Sequence, residues 1–306
     1  MTQGNRDDIE NLSDEDSAYI GVDGDSAKLD LGELFSSEFT NISLFYISPH
    51  GPVELYTANR YGKRYLLKAL KKRYRDDPIY AMSLAKEFEI GIQLDHPNIR
   101  RTIGLETIEG LGKVIVLEYV DGCSLTSLLS SPELTKSSCR SIAAQTAGAL
   151  RYLHSKQIYH RDLKPANILV AHNGNVVKII DFNLSDSEDF IILKNPSGTK
   201  SYMAPEMFDK ETKPSAVADI YSFGVVMGEL AEATGDDALA RAVRKCTSEN
   251  PAKRPRSVDY IKLPSASVTA KDRLTTFLSS QLLTFILIFI IAALAVLIIL
   301  MLTDNT

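Results

Sequence analysis

A chain of 306 residues, 44% of them hydrophobic, carries enough apolar material for one large domain or two ordinary ones, which excludes the disordered class. Its net charge of −5 is unevenly spread: residues 1–40 hold eleven acidic side chains against Arg6 and Lys28, and the rest is mildly basic. Nucleic acid is not an expected partner, because Lys71, Lys72, Arg73 and Arg75 run straight into Asp76 and Asp77 and read as a solvated helix face, and the three cysteines are too widely spaced for a metal-ligand pattern and suit a reducing compartment.

Residues 1–38 lack any sustained apolar period and are expected to form an acidic, disordered tail. The start at Met1 has neither the basic opening nor the apolar run of a signal peptide, so this part of the chain is expected to stay in the cytosol. From Phe39 short strand-like runs follow, Ile42–Ile47, Val53–Thr57 and Arg64–Ala69, with Tyr61-Gly62-Lys63 as a hairpin turn, and they predict an antiparallel sheet. Ile79–Leu94 has helical spacing and stops before Pro97, while Lys113–Tyr119 is an apolar strand. Beyond Ser124 the pattern is mostly helical, over Leu125–Leu129, Lys136–Ser155, Ala216–Ala233 and Asp237–Thr247. The chain has no internal repeats.

Residues 263–281 read as a linker before the unbroken apolar run Leu282–Leu302, whose one polar member is Thr284. As a helix, these ~21 residues would span ~31 Å, the thickness of a bilayer core. Lys271 and Arg273 before the run and Asp304 after it predict a single-pass protein held in membrane lipid, with the folded domain cytoplasmic and residues 303–306 on the far side.

The chemistry is concentrated in His160-Arg161-Asp162-Leu163-Lys164-Pro165-Ala166-Asn167, followed by Asp181-Phe182-Asn183. Phosphoryl transfer needs one carboxylate to orient the attacking hydroxyl, and a second, with an amide, to hold metal on the ATP phosphates. In these motifs the chain resembles the eukaryotic-like, Hanks-type serine/threonine protein kinases, over residues 39–262. The resemblance implies an α+β, bilobal fold with the nucleotide in the cleft between a small β-sheet lobe carrying helix C and a helical lobe. The transmembrane helix would be a separate addition.

The same resemblance implies the site. Asp162 would accept or orient the hydroxyl proton, Lys164 would steady the γ-phosphate, and Asn167 with Asp181 would hold magnesium, or manganese in its place, through oxygen ligands. Lys68 in Tyr65-Leu66-Leu67-Lys68 would neutralise the α- and β-phosphates. Alone it would read as a surface lysine; Glu87, nine residues before His96, supplies the family's partner on helix C. Glu89 is the alternative, and since it lies about 200° further around a helix the two cannot both face the cleft. Val116–Gly122 resembles the hinge, with backbone groups of Glu118 and Val120 on adenine and Leu117 as gatekeeper, although the residues alone equally describe a buried strand ending in a glycine turn. Gly51, Val53 and Leu169 complete the implied nucleotide contacts. Four structural roles follow: Thr199 against the catalytic aspartate, Glu206 paired with Arg254, Asp219 bracing the catalytic loop, and His160 as a packed core histidine.

Departures from the family are equally specific. Of the usual three glycines in the phosphate-binding loop, counted back from Lys68 to Tyr46–Val53, only Gly51 survives, so Tyr46, Ser48 and Pro49 imply a stiffer or looser lid. Leu66 stands where a small residue usually packs on adenine, Gly91 where an apolar residue is expected, and Asn183 replaces the glycine after Asp181-Phe182. Too little chain separates Leu230 from Cys246 for the usual helix G. Lys164, two residues after Asp162, matches the serine/threonine pattern, so the expected activity is transfer of the ATP γ-phosphoryl group to protein hydroxyls, with self-association through the apolar run and phosphorylation of the segment Ser185–Ser201 near Arg161 as extensions. A pseudokinase that scaffolds or binds nucleotide is the alternative, ahead of a small-molecule kinase.

Overall fold

Residues 38–49, 51–181, 200–209 and 211–266 are described by a computed structural model of the chain. The alternation that begins at Phe39 becomes β1 (Thr40–Ile47), β2 (Val53–Arg60) and β3 (Lys63–Leu70), each longer than its expected run. Tyr61 and Gly62 make the β2–β3 turn with φ of 52° and 66°, the left-handed pair whose twist suits a two-residue hairpin. Lys63 therefore belongs to the strand, pairing with Arg60, and this register sets Leu55 opposite Lys68.

Further along, α1 (Pro78–Gly91) starts where Asp77 accepts the Ile79 N–H at 2.9 Å with proline in the first turn, and it ends short of the expected Leu94. A strand absent from the sequence reading, β4 (Thr102–Ile108), pairs with β5 (Gly112–Glu118). The antiparallel sheet has the order β1-β2-β3-β5-β4. Pleating sends Val114 and Val116 to one face with Leu67 and Ala69, and Ile115 and Leu117 to the other with Leu66, Leu70 and, from α1, Leu84 and Phe88. The buried run of β5 is thus the layer that fixes both faces.

The basic stretch before α1 is not a plain solvated face. Lys72 and Arg73 are exposed in a 3₁₀ turn, but Lys71 Nζ donates to the Ser48 carbonyl at 2.6 Å, and Arg75 donates to the carbonyls of Leu70 at 2.8 Å and Gly110 at 2.6 Å. Two of the four basic residues therefore pin turns at the ends of the sheet.

After β6 (Gly122–Ser124) the chain turns helical through α2 (Leu125–Leu129) and α3 (Lys136–Ser155), the latter opened by a reciprocal cap between Thr135 and Ser138. β7 (Ile168–Ala171) and β8 (Val177–Ile179) complete a three-stranded sheet of order β6-β7-β8. α4 (Ala216–Thr234) begins on a Ser215 cap and ends where Gly235 turns left-handed at φ 61°. A short α5 (Asp237–Val243) follows, four residues less than expected at its end. Ile142, Leu150 and Leu153 of α3 meet Phe223, Val226, Met227 and Leu230 of α4 in the largest core, each fully buried. At about 1.5–3 kcal/mol per large apolar side chain, this contact holds the helical lobe together.

Among the described residues no helix is long and apolar enough to cross a membrane. The run 282–302 lies outside them, as do residues 1–37 and 182–199, which take in Phe182, Asn183, Thr199 and all of the segment Ser185–Ser201 before Lys200.

Candidate active site

Asp219 organises the floor of the cleft from within α4. Its carboxylate is 1% exposed and accepts the backbone N–H groups of His160 at 2.8 Å and Arg161 at 2.9 Å, with His154 Nε2 also 2.9 Å away. Those contacts hold Arg161 at a φ of 64°, a conformation costly for a non-glycine residue unless its surroundings impose it. His160 is fully buried, and burial holds its pKa below the ordinary histidine value against the pull of Asp219 and Asp162. It is a neutral packing residue, as expected.

The loop so held delivers three polar groups to one point. Asp162 Oδ2 accepts from Lys164 Nζ at 2.9 Å and from Asn167 Nδ2 at 3.3 Å, and Asn167 Nδ2 also donates to the Asp162 carbonyl at 2.8 Å. Asp162 Oδ1 is buried, and among the described residues no group hydrogen-bonds to it. An unsatisfied buried carboxylate oxygen is unfavourable, and an incoming hydroxyl is the kind of group that would satisfy it. With its amide hydrogens committed to Asp162, Asn167 has its side-chain oxygen left as an acceptor.

A second ionic cluster hangs from the sheet. Lys68 on β3 donates to Glu87 of α1 at 2.6 Å and to Asp181 at 3.3 Å. Glu89 turns the other way, toward Lys86 at 3.9 Å, with 63% of its side chain exposed, so Glu87 is the inward glutamate. Arg100, 7% exposed, joins with Nη2 3.5 Å from Asp181 Oδ1. Burial alone would lower the Lys68 pKa, but Glu87 and Asp181 outweigh it and raise the value. Desolvation likewise works against the charge on Asp181, yet Lys68 and Arg100 bring its pKa down to about 2. The two clusters are joined by backbone: the Ile180 N–H donates to the Asn167 carbonyl at 3.0 Å, which sets Asp181 beside Asn167. An ionised carboxylate and an amide oxygen form a hard donor pair suited to a divalent cation such as magnesium.

The remaining expected contacts are dispersed along the strands. Glu118 donates its backbone N–H to the Arg101 carbonyl at 2.9 Å, and its carboxylate takes Lys178 Nζ at 2.9 Å. Leu117 is buried opposite Leu66 in the β3–β5 register. Val53 opens β2, Val120 follows β5, and Leu169 lies in β7 between Ser124 and Lys178; all three are partly exposed. In the loop after β1, the Gly51 N–H donates to Ser48 Oγ at 2.9 Å, the Ser48 N–H donates to the Val53 carbonyl at 3.1 Å, and Lys71 holds the Ser48 carbonyl. Ser48 is thus held through its N–H, hydroxyl and carbonyl, and the Gly51 amide is used internally.

Away from the cleft, Arg254 grips Glu206 through both nitrogens at 2.6 and 2.8 Å, the expected pair. Arg100 and Lys178 are the functional-site residues the sequence reading passed over. The sequence offered no signal for Arg100, since the arginine pair after the His96–Ile99 motif lies outside any strand and carries no period of its own.

The protein kinase domain model matches residues 50–281. Mitogen-activated protein kinase kinase 9 of Arabidopsis thaliana is 37% identical over 165 residues, covering 50% of this chain and 51% of that protein. Serine/threonine-protein kinase PrkC of Bacillus subtilis (strain 168) is 32% identical over 222 residues, covering 67% of this chain and 33% of the relative. Serine/threonine-protein kinase 36 of Pongo abelii is 38% identical over 155 residues, which is 50% of this chain and 12% of the relative. The chain spans about half the length, or less, of these relatives. Two joined polar clusters on a five-stranded sheet and a helical floor, with a domain match over most of the sequence, establish that the chain belongs to the protein kinase domain family.

Proposed function

We propose that the protein is a serine/threonine protein kinase that moves the γ-phosphoryl group of ATP to a protein hydroxyl. The observation that carries this reading is the joining of the Asp162-Lys164-Asn167 and Lys68-Glu87-Asp181 clusters through Ile180 and Asn167. In this reading Lys68 binds the α- and β-phosphates and Glu87 holds its ammonium in place. Lys164 draws on the γ-phosphate, and Asp162 Oδ1 receives the proton of the attacking hydroxyl as its oxygen bonds to phosphorus and the bond to ADP breaks. Asn167 and Asp181 would hold magnesium, or manganese, which neutralises phosphate charge during transfer. Gly51, Val53, Leu169 and the backbone of Glu118 and Val120 border the nucleotide. Lys164 two residues after Asp162, and the names of the Bacillus and Pongo relatives, support serine or threonine as the acceptor.

Radiolabelled transfer by the full chain tests the reading. Asp162→Asn should lower transfer by about 10²- to 10⁴-fold. It should leave the melting shift caused by Mg-ATP nearly intact, since the lost group acts on the hydroxyl. Transfer at the wild-type rate would remove Asp162 from its role.

A second reading has a specific observation behind it. The Gly51 amide is satisfied by Ser48 Oγ, which leaves a phosphate without that donor and favours a nucleotide-binding or scaffolding pseudokinase. Wild type that shifts its melting point with Mg-ATP but transfers no phosphate would establish it. The proposal extends to place: residues 39–262 form the catalytic domain and 282–302 anchor it in lipid with the domain cytoplasmic, so that helix–helix association could raise the local concentration of neighbouring kinases. The family match stops at residue 281, directly before the apolar run begins.

A further inference from the structure

Arg100 is built into the cleft. Its N–H donates to the Ile179 carbonyl at 3.1 Å, the Ile179 N–H donates to the Asn98 carbonyl at 2.9 Å, and Ile99 bridges Ile179 in parallel. The end of β8, two residues before Asp181, is thus zipped to the segment that carries Arg100. Only 6% of the Arg100 side chain is exposed, and its guanidinium and Lys68 share the same oxygen, Oδ1 of Asp181. Counted with Glu87, the cluster holds two cations and two carboxylates. Every charge in the cluster has a partner, and with 47% of the Asp181 side chain exposed, a further cation arriving there from solvent meets a set already balanced.

Guanidinium cannot shed its charge near neutral pH. A divalent cation on Asp181 therefore meets a fixed positive charge a few ångströms away, while a bound nucleotide meets the same charge as an attraction. We propose that Arg100 is a positioning residue that sets the metal dependence of nucleotide binding: it supplies part of the positive charge at Asp181 and weakens the coupling between nucleotide and divalent cation. This rests on the assignment of Asn167 and Asp181 to the cation.

The test measures binding of a fluorescent N-methylanthraniloyl ATP to the full chain, with and without manganese, and the ratio of the two affinities. Manganese binding is followed separately by its electron paramagnetic resonance signal. Arg100→Met and Arg100→Gln should bind the metal-free nucleotide more weakly than wild type and show a metal coupling larger by about tenfold, well inside the range found between two interacting sites. Arg100→Lys, which keeps the charge, should stay near wild type. Manganese complexation by the nucleotide in solution is the same for every variant, so it cancels from the comparison. A purely structural role would lower the melting temperature of the neutral variants while leaving the coupling unchanged. Unchanged or reduced coupling in either folded neutral variant overturns the proposal. Wild type with no manganese-dependent gain in nucleotide binding would instead overturn the metal assignment beneath it.

Discussion

Asp219 contributes nothing to the surface of the cleft and yet determines the shape of its floor. Both oxygens are engaged, one by the N–H of Arg161 and the other by His160 and His154. An amide in its place can accept on one side only, so Asp219→Asn loses a charge-assisted bond and releases the constraint on Arg161. The expected cost is about 1.5–3 kcal/mol in stability. Because the loop that carries Asp162 loosens while Lys68 on β3 and Glu87 on α1 are untouched, kcat should fall well before KM for ATP rises, and a variant with the reverse pattern would contradict this bracing role. Side chains of this kind were readable in the sequence as motif members: Lys68 from its place in Tyr65-Leu66-Leu67-Lys68, Glu87 from its spacing to His96, Glu206 from Arg254. Arg100 was not, because nothing in an arginine pair tells which member turns inward until the strand direction is known. Nor did the glycine count reveal that Ser48 would take over the Gly51 amide, which depends on the closed geometry of the turn.

At the scale of elements, the end of α1 shows how one substitution is absorbed by a neighbour. A Cβ added at Gly91 would lie 2.4 Å from Thr102 Oγ1, on β4. Threonine here fills the space that a larger residue at 91 would occupy. Alanine normally stabilises a helix by about 0.5–1 kcal/mol over glycine. Gly91→Ala should nevertheless destabilise the wild type, and the same change in a Thr102→Ala background should stabilise it. A double-mutant cycle followed by denaturant melts reads the reversal directly.

Elements with strong periodicity, such as α3 and α4, were legible nearly to their caps, whereas β4 and the three short strands of the second sheet were not. β4 holds Gly104 and Glu106 among its inward and outward positions, and β6 and β8 are three residues each, too brief for any period to emerge. The junction of α4 and α5 carries a buried pair that no pattern announced: Arg140 of α3 donates to Asp236 at 2.6 and 3.0 Å, and Asp236 also caps α5. Burial disfavours the Asp236 charge, but Arg140 holds its pKa below the usual carboxylate range. A carboxyl depressed on folding contributes stability above its unfolded pKa of about 3.9 and loses it as pH falls through the lower folded value. Asp236→Asn should cost about 3–5 kcal/mol at pH 7, since it leaves a buried guanidinium facing an amide. The difference in melting temperature from wild type should narrow as the pH is taken below 4; a constant difference would exclude the ion pair as its source.

For the whole molecule, the open matter is where the catalytic lobes work. The apolar run 282–302 has sixteen Leu, Ile, Phe or Val residues and no charge. At about 0.3–0.6 kcal/mol each, insertion into lipid would gain on the order of 5–10 kcal/mol. Among the described residues, one core lies in the helical lobe and one on each face of the sheet. In the proposed reading the run enters the bilayer, and Lys271 with Arg273 would set the kinase domain on the cytosolic side, where ATP is. Full-length protein should stay in the membrane fraction through high salt and carbonate, and truncation after Ser280 should release it with its nucleotide-induced melting shift intact. In intact cells or right-side-out vesicles, added protease should leave the kinase lobes uncut. Elution of the full chain by carbonate, or digestion of the lobes from outside, would show that the run serves some purpose other than anchorage.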